Sequence, residues 1–124
     1  MSIPVDVARL AAVLADFDAG YLLTTRDGRV KAVTVEPEPA PDGTLRIAAP
    51  GGGTLANLAA NDAVTLVLPP RAPRGFTLLV DGTAAADGDA GDDVVLTPAS
   101  AVLHRPRIHA DGPPPPPSAG DEGA

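Results

Sequence analysis

The sequence predicts a mainly β domain with short helices: six antiparallel strands closing toward a barrel. Three observations carry that expectation. Short runs rich in Val, Leu and Thr recur between turns marked by glycine and proline. A helical period is confined to two stretches, residues 5–17 and 54–61. The apolar content is mostly Ala, Val and Leu, and Phe17, Tyr21 and Phe76 are the only aromatic residues. Small aliphatic side chains fill the interior of a small barrel well. They make a modest core, which a second subunit would supplement.

The elements follow in order. In residues 5–17, Val7, Leu10, Ala11, Leu14 and Phe17 share one helical face, Ser2 is the expected N-cap, and Pro4 suits the first turn. Asp18-Ala19-Gly20 ends that helix. Residues 21–25 and 30–36 read as strands joined through Asp27-Gly28, a pair that tolerates the φ > 0 a tight hairpin demands. Glu36-Pro37-Glu38-Pro39 cannot pair far into a sheet, and Pro41-Asp42-Gly43 turns the chain again. Residues 44–49 alternate, with Leu45 and Ile47 on one face. After Gly51-Gly52-Gly53 comes the short helix 54–61, carrying Leu55, Leu58 and Ala59 on one side. Residues 63–68 are a buried strand stopped by Pro69-Pro70. Residues 76–85 form a long strand with Gly82 as a bulge. An acidic turn, 87–93, leads into a last strand, 94–103, where Pro98 belongs at an edge or bulge. No internal repeat is visible.

The chain has 124 residues, and its expected domain is 1–107. Residues 108–124 hold five consecutive prolines, Pro113 to Pro117, and almost nothing apolar, so they are expected to form an extended acidic tail. Net charge is −7; Asp111, Asp121 and Glu122 supply three of those charges, leaving −4 on residues 1–107. An acidic domain repels phosphate backbones, which argues against nucleic acid as a partner. Without cysteine there is no disulfide and no thiolate chemistry. No apolar run reaches membrane-spanning length, and the N-terminus reads as a helix start. A cytoplasmic protein with no membrane partner is the expectation.

The segment Gly51-Gly52-Gly53-Thr54-Leu55-Ala56-Asn57-Leu58 is the best candidate for a ligand site. A glycine run opening into a helix presents unpaired backbone N–H groups to an anion, usually a phosphate. It is no P-loop, because Leu55 follows Thr54 where that motif requires Lys then Ser or Thr. A Gly-x-Ser-x-Gly nucleophile elbow is absent, and Ser2, Ser100 and Ser118 have no nearby base. No metal site is expected. His104 and His109 stand alone, and Asp87, Asp89, Asp92 and Asp93 lack the spacing of a calcium loop. A cofactor enzyme needs no protein nucleophile, since the cofactor carries the chemistry. The same inventory suits a non-catalytic binder equally well.

The ordered set of these residues resembles the flavin-binding split-barrel family, the pyridoxamine 5′-phosphate oxidase-like group. The hairpin Tyr21-Leu22-Leu23-Thr24-Thr25-Arg26-Asp27-Gly28-Arg29, the run from Thr54 to Asn61, and the strand Val64-Thr65-Leu66-Val67-Leu68 carry the resemblance. Val80-Asp81-Gly82-Thr83-Ala84 fits the family's fifth strand, and Val102-Leu103-His104-Arg105-Pro106 resembles the end of small actinobacterial-type members. The resemblance implies a six-stranded antiparallel split β-barrel of the FMN-binding type. It also implies a homodimer with a flavin, FMN or a deazaflavin analogue, at each end of the interface, and oxidoreductase activity on a small organic substrate. The cofactor's phosphate would lie at Gly52, Gly53, Thr54 and Asn57, and its ring against Lys31, Ala32, Val33, Ala48 and Ala49. The alternative is a split barrel that binds a flavin, haem or another planar ligand without redox activity. One departure stands out: many members carry a basic residue where this chain has Gly53-Thr54. The glycine backbone, the Thr54 hydroxyl, Lys31, or Arg71 and Arg74 from a neighbouring subunit are the available substitutes. A pyridoxamine-phosphate oxidase proper is not expected, because that group carries additional C-terminal sequence and basic residues for the substrate phosphate.

Overall fold

The computed structural model describes residues 2–88 and 91–106. The expected tail 108–124, Arg107, His109 and Asp89 lie outside the described residues. The elements are β1 (Ser2–Val5), a 3-10 turn (Val7–Arg9), α1 (Leu10–Leu14), β2 (Gly20–Arg26), β3 (Arg29–Val35), β4 (Glu38–Pro39), β5 (Leu45–Ile47), α2 (Gly52–Ala60), β6 (Ala63–Leu68), β7 (Thr77–Ala86) and β8 (Val94–His104). The eight strands form one antiparallel sheet, ordered β3-β2-β6-β7-β8-β5-β4, with β1 added against β8. The expected count of six is therefore corrected to eight among the described residues. The two additions are β1 and the two-residue β4, both too short or too proline-rich to declare themselves in sequence.

The N-terminal helix is the larger correction. Residues 2–5 pair with residues 101–104 of β8, Pro4 opposite Val102. An edge strand tolerates a proline because one row of its N–H groups faces away from the ladder. The cap is Asp6 and not Ser2: its carboxylate accepts a hydrogen bond from the Ala8 N–H at 3.0 Å. Helical structure runs only over Val7–Arg9 and Leu10–Leu14, with Leu10 and Leu14 buried.

The β2–β3 hairpin forms as its turn residues require. Asp27 has φ 53° and Gly28 φ 75°, and Arg26 faces Arg29 across the turn. At the next turn Gly43 has φ 89°, and the Asp42 carboxylate accepts from both the Thr44 hydroxyl (2.6 Å) and the Thr44 N–H (3.0 Å). Those two bonds, the hydroxyl first, hold the Asp42 carboxyl below the ordinary carboxylate range.

The long β8 shows why the barrel is split. Residues 94–96 pair with β5 and residues 101–104 with β1, while β7 runs along the other side. Pro98 falls between the two partners, where its missing N–H breaks no outer ladder bond. Opposite it, the β7 register shifts between Asp81 and Gly82. A Cβ on Gly82 would fall on the Thr97 carbonyl oxygen, so the bulge needs glycine. Inward-facing Leu22, Leu66, Leu68, Leu78, Val80, Leu96, Leu45 and Ile47 form the core with Leu10, Leu14 and Leu58 of the helices. β3 and β4 end the sheet without pairing to each other.

Candidate functional site

The loop from β5 into α2 is built to free backbone N–H groups. Gly51 caps α2 with φ 113°, a conformation only glycine adopts readily. The Leu55 N–H makes a bond to the Gly51 carbonyl at 3.1 Å. The N–H groups of Gly52, Gly53 and Thr54 precede that bond and have no acceptor within the helix. The helix starts two residues before the expected 54, so all of Gly52, Gly53 and Thr54 lie in its first turn. Gly52 has open space on its Cβ side. Just upstream, Ala49 takes a positive φ of 34°, and its N–H donates to the Asp93 carboxylate at 3.1 Å. Strain of this kind collects near ligand sites.

The cation absent from Thr54 arrives from β3. A Cβ built on Gly53 would collide with the Lys31 Nζ. Glycine at 53 therefore makes room for an ammonium at the positive end of the α2 dipole. Asn57, one turn later, donates from its side-chain amide to the buried Thr24 hydroxyl at 3.0 Å. Thr24 faces Lys31 across the β2–β3 ladder, so both belong to the inner face of the sheet. Asn57, Lys31, Val30, Asp27, Arg26 and Arg29 line one cleft of about 290 Å³. Thr54 is fully buried, and its hydroxyl has no hydrogen-bond partner among the described residues.

The remaining expected positions divide. Val33 shares the inner face with Lys31, whereas Ala32 points to the outer face opposite Leu23. Ala48 lines a separate cleft of about 190 Å³ with Thr34, Val35 and Glu36, at the open seam between β3 and β5. The Ala49 N–H is already spent on Asp93. Arg71 is committed elsewhere: it donates to the Ala15 and Phe17 carbonyls at 3.2 and 3.4 Å and pairs with Asp18 at 3.0 Å. In the acidic turn, Asp87 and Asp93 pair with Arg46 at 2.8 and 3.8 Å. No three His, Asp or Glu side chains gather into a metal-binding group among the described residues.

The residues that sequence reasoning missed are Arg26 and Arg29. Their signal was present: Arg29-Val30-Lys31 alternates, which places both cations on one face of a strand, and a two-residue turn places Arg26 opposite Arg29. Three of the chain's nine basic residues thus meet at one cleft of an acidic protein.

No family model matches the chain. Two uncharacterized proteins, from Mycobacterium bovis and Mycobacterium tuberculosis, are each 42% identical to it over 124 aligned positions, spanning 93% of this chain and 87% of theirs. The chain belongs to their family. Among solved structures it is similar to a candidate pyridoxamine 5′-phosphate oxidase from Listeria innocua (TM-score 0.61, 16% identity, 78% of this chain and 96% of that one). It is also similar to the FAD-binding protein from Mycobacterium smegmatis (TM-score 0.61, 15% identity, 83% and 98%). A third is a candidate pyridoxamine 5′-phosphate oxidase from Corynebacterium glutamicum (TM-score 0.63, 13% identity, 84% and 93%). The fold is the split barrel of the pyridoxamine 5′-phosphate oxidase-like group. No helix among the described residues is long and apolar enough to cross a membrane.

Proposed function

We propose that this protein binds a flavin, FMN or a deazaflavin analogue, as a homodimer, and uses it to oxidise or reduce a small organic substrate. The observation that carries the reading is the Lys31 ammonium seated over Gly53 at the start of α2. A cation beside a helix N-terminus is repelled by the helix dipole. A phosphate between them would turn that repulsion into two attractions. The first-turn N–H groups and Lys31 are donors of the kind a phosphate monoester requires. The fold's solved relatives, one of them named for FAD binding, point the same way.

The flavin would supply hydride transfer. The chain's own contribution is to bind, orient and dry the site. Lys31 and the first turn of α2 hold the phosphate. Asn57 is fixed by Thr24 and keeps α2 in register with β2. Lys31 lines the cleft beside α2, and Ala48 lines the separate one at the seam beside β3, where the ring would lie.

The test is direct. FMN and the deazaflavin are each titrated into the protein while fluorescence quenching is followed, and the bound form is then challenged with its usual reductant. Binding of one near stoichiometry, followed by reduction, is expected. Binding of neither would remove the flavin reading. Stoichiometric binding without turnover would leave a ligand carrier.

A further inference from the structure

The bend that carries β5 into α2 is one that its own residues oppose. β5 ends at Ile47 and α2 begins at Gly52, so residues 48–51 must redirect the chain. Gly51 does this with φ 113° at no steric cost. Ala49 takes φ 34°, where a Cβ crowds the following carbonyl. Pro50 comes next, and a proline ring pushes the residue before it toward extended backbone. Two local preferences are overridden at Ala49, so a tertiary contact has to hold it.

That contact is Asp93, 44 residues away, whose carboxylate accepts from the Ala49 N–H at 3.1 Å. Asp93 stands one residue before Val94, and Val94 pairs with Ile47, so the β5–β8 ladder brings donor and acceptor together. The carboxylate is itself aimed. Arg46 of β5 lies 3.8 Å from it and 2.8 Å from the Asp87 carboxylate, and the Asp87 N–H donates to the Asp93 carbonyl at 2.8 Å. Arg46 also offsets a negative charge that would otherwise repel an anion arriving at α2.

We infer that Asp93 is a positioning residue for the anion loop. It clamps Ala49 in the bend from which Gly52, Gly53 and Thr54 present their N–H groups, while Arg46 neutralises and steers its carboxylate. The inference rests on the phosphate placement proposed above. Asp93 acts through the backbone and does not touch the ligand.

The test compares the wild type with Asp93→Asn, Asp93→Ala, and Asp93→Ala combined with Ala49→Gly. Inorganic phosphate and FMN are titrated calorimetrically into each, and amide hydrogen exchange at position 49 is followed without ligand. Asparagine keeps an acceptor and removes the charge. Asp93→Asn should therefore bind phosphate as tightly as the wild type or tighter, with the amide at 49 still protected. Asp93→Ala should open that amide to exchange and bind both ligands about 3- to 10-fold more weakly, the scale of one hydrogen bond. Glycine reaches φ 34° without a clamp, so adding Ala49→Gly should return affinity to within about 2-fold of the wild type. Should Asp93→Ala fail to fold, recovery of folding by Ala49→Gly supports the clamp and no recovery overturns it. A loss that Asp93→Asn shares in full would overturn the inference, since the acceptor is still present. FMN binding unaffected by Asp93→Ala would sink the inference and leave the flavin reading standing. A wild type that binds neither phosphate nor FMN would sink the phosphate reading, and the inference with it.

Discussion

Helix stability and the proposed anion binding pull in opposite directions at Gly53. Alanine propagates a helix better than glycine by about 1 kcal/mol. Gly53 has no positive φ, and the only atoms its Cβ would meet are the far end of Lys31. Gly53→Ala should therefore fold well, with a thermal midpoint equal to or above wild type. It should also push the ammonium off the helix start and weaken flavin binding about 10- to 100-fold, the loss of one charge-assisted contact. Calorimetry and a melting curve on the same sample check both halves. A variant that melts lower and binds unchanged would contradict the role given to Lys31. Asp42 provides a second test at this scale. Its carboxyl titrates lower in the folded state than unfolded, so the stability it lends is fully present above its ordinary value near 3.8 and is lost as pH falls through the lower folded value. Thr44→Val removes the hydroxyl, the larger cause, and should move the Asp42 titration back upward when followed by carboxyl chemical shifts.

The elements differ in how far sequence declares them. The β2–β3 hairpin was legible because Asp27-Gly28 fixes both turn conformations locally. Gly82 and Pro98 each announced an irregularity. That they face each other at one bulge is a fact of register, which no local signal encodes. β1 was illegible for a related reason. Ser2-Ile3-Pro4-Val5 carries helix-start residues, and its partner lies about a hundred residues away, on β8. The glycine loop reads in sequence as a candidate anion site, but the approach of Lys31 to Gly53 is tertiary and joins β3 to α2. Gly20 shows the same limit. It begins β2, and its Cβ would strike the Val67 carbonyl oxygen and come within 2.5 Å of the Leu68 side chain. Backbone cannot yield as a lysine tip can, so Gly20→Ala should cost about 1–3 kcal/mol by overpacking. Urea unfolding should show this as a lower midpoint with an unchanged slope.

For the whole molecule, the outer face of the sheet is where a second copy would sit. The register aligns Thr34, Tyr21, Val67, Leu79 and Val102 in one row across β3, β2, β6, β7 and β8. Leu23 lies in the next row with Ala32, Thr65 and Asp81, and Val30 one row further, opposite Thr25; Tyr21 and Val30 remain 45% and 65% exposed. A largely apolar row on the solvent side of a small barrel is costly to leave wet, and a contiguous patch of this kind marks an association surface. Asp81 shares that outer face two residues beyond Leu79, while Arg26, Arg29 and Lys31 are grouped on the inner face beside α2. A two-fold dimer through the outer row would leave those cationic clefts open at the edges of the interface. Sedimentation equilibrium on the wild type should give twice the monomer mass. Leu79→Glu places a charge at the centre of the row without entering the core, since Leu78 and Val80 are the buried neighbours. It should give a folded monomer with an unchanged far-ultraviolet spectrum. Inorganic phosphate should still bind that monomer, because Lys31 and the first turn of α2 belong to one chain. Flavin affinity should fall if the ring needs the partner's surface. A Leu79→Glu dimer would place the interface on another face. A wild-type monomer that binds flavin stoichiometrically would show that one barrel completes the site alone.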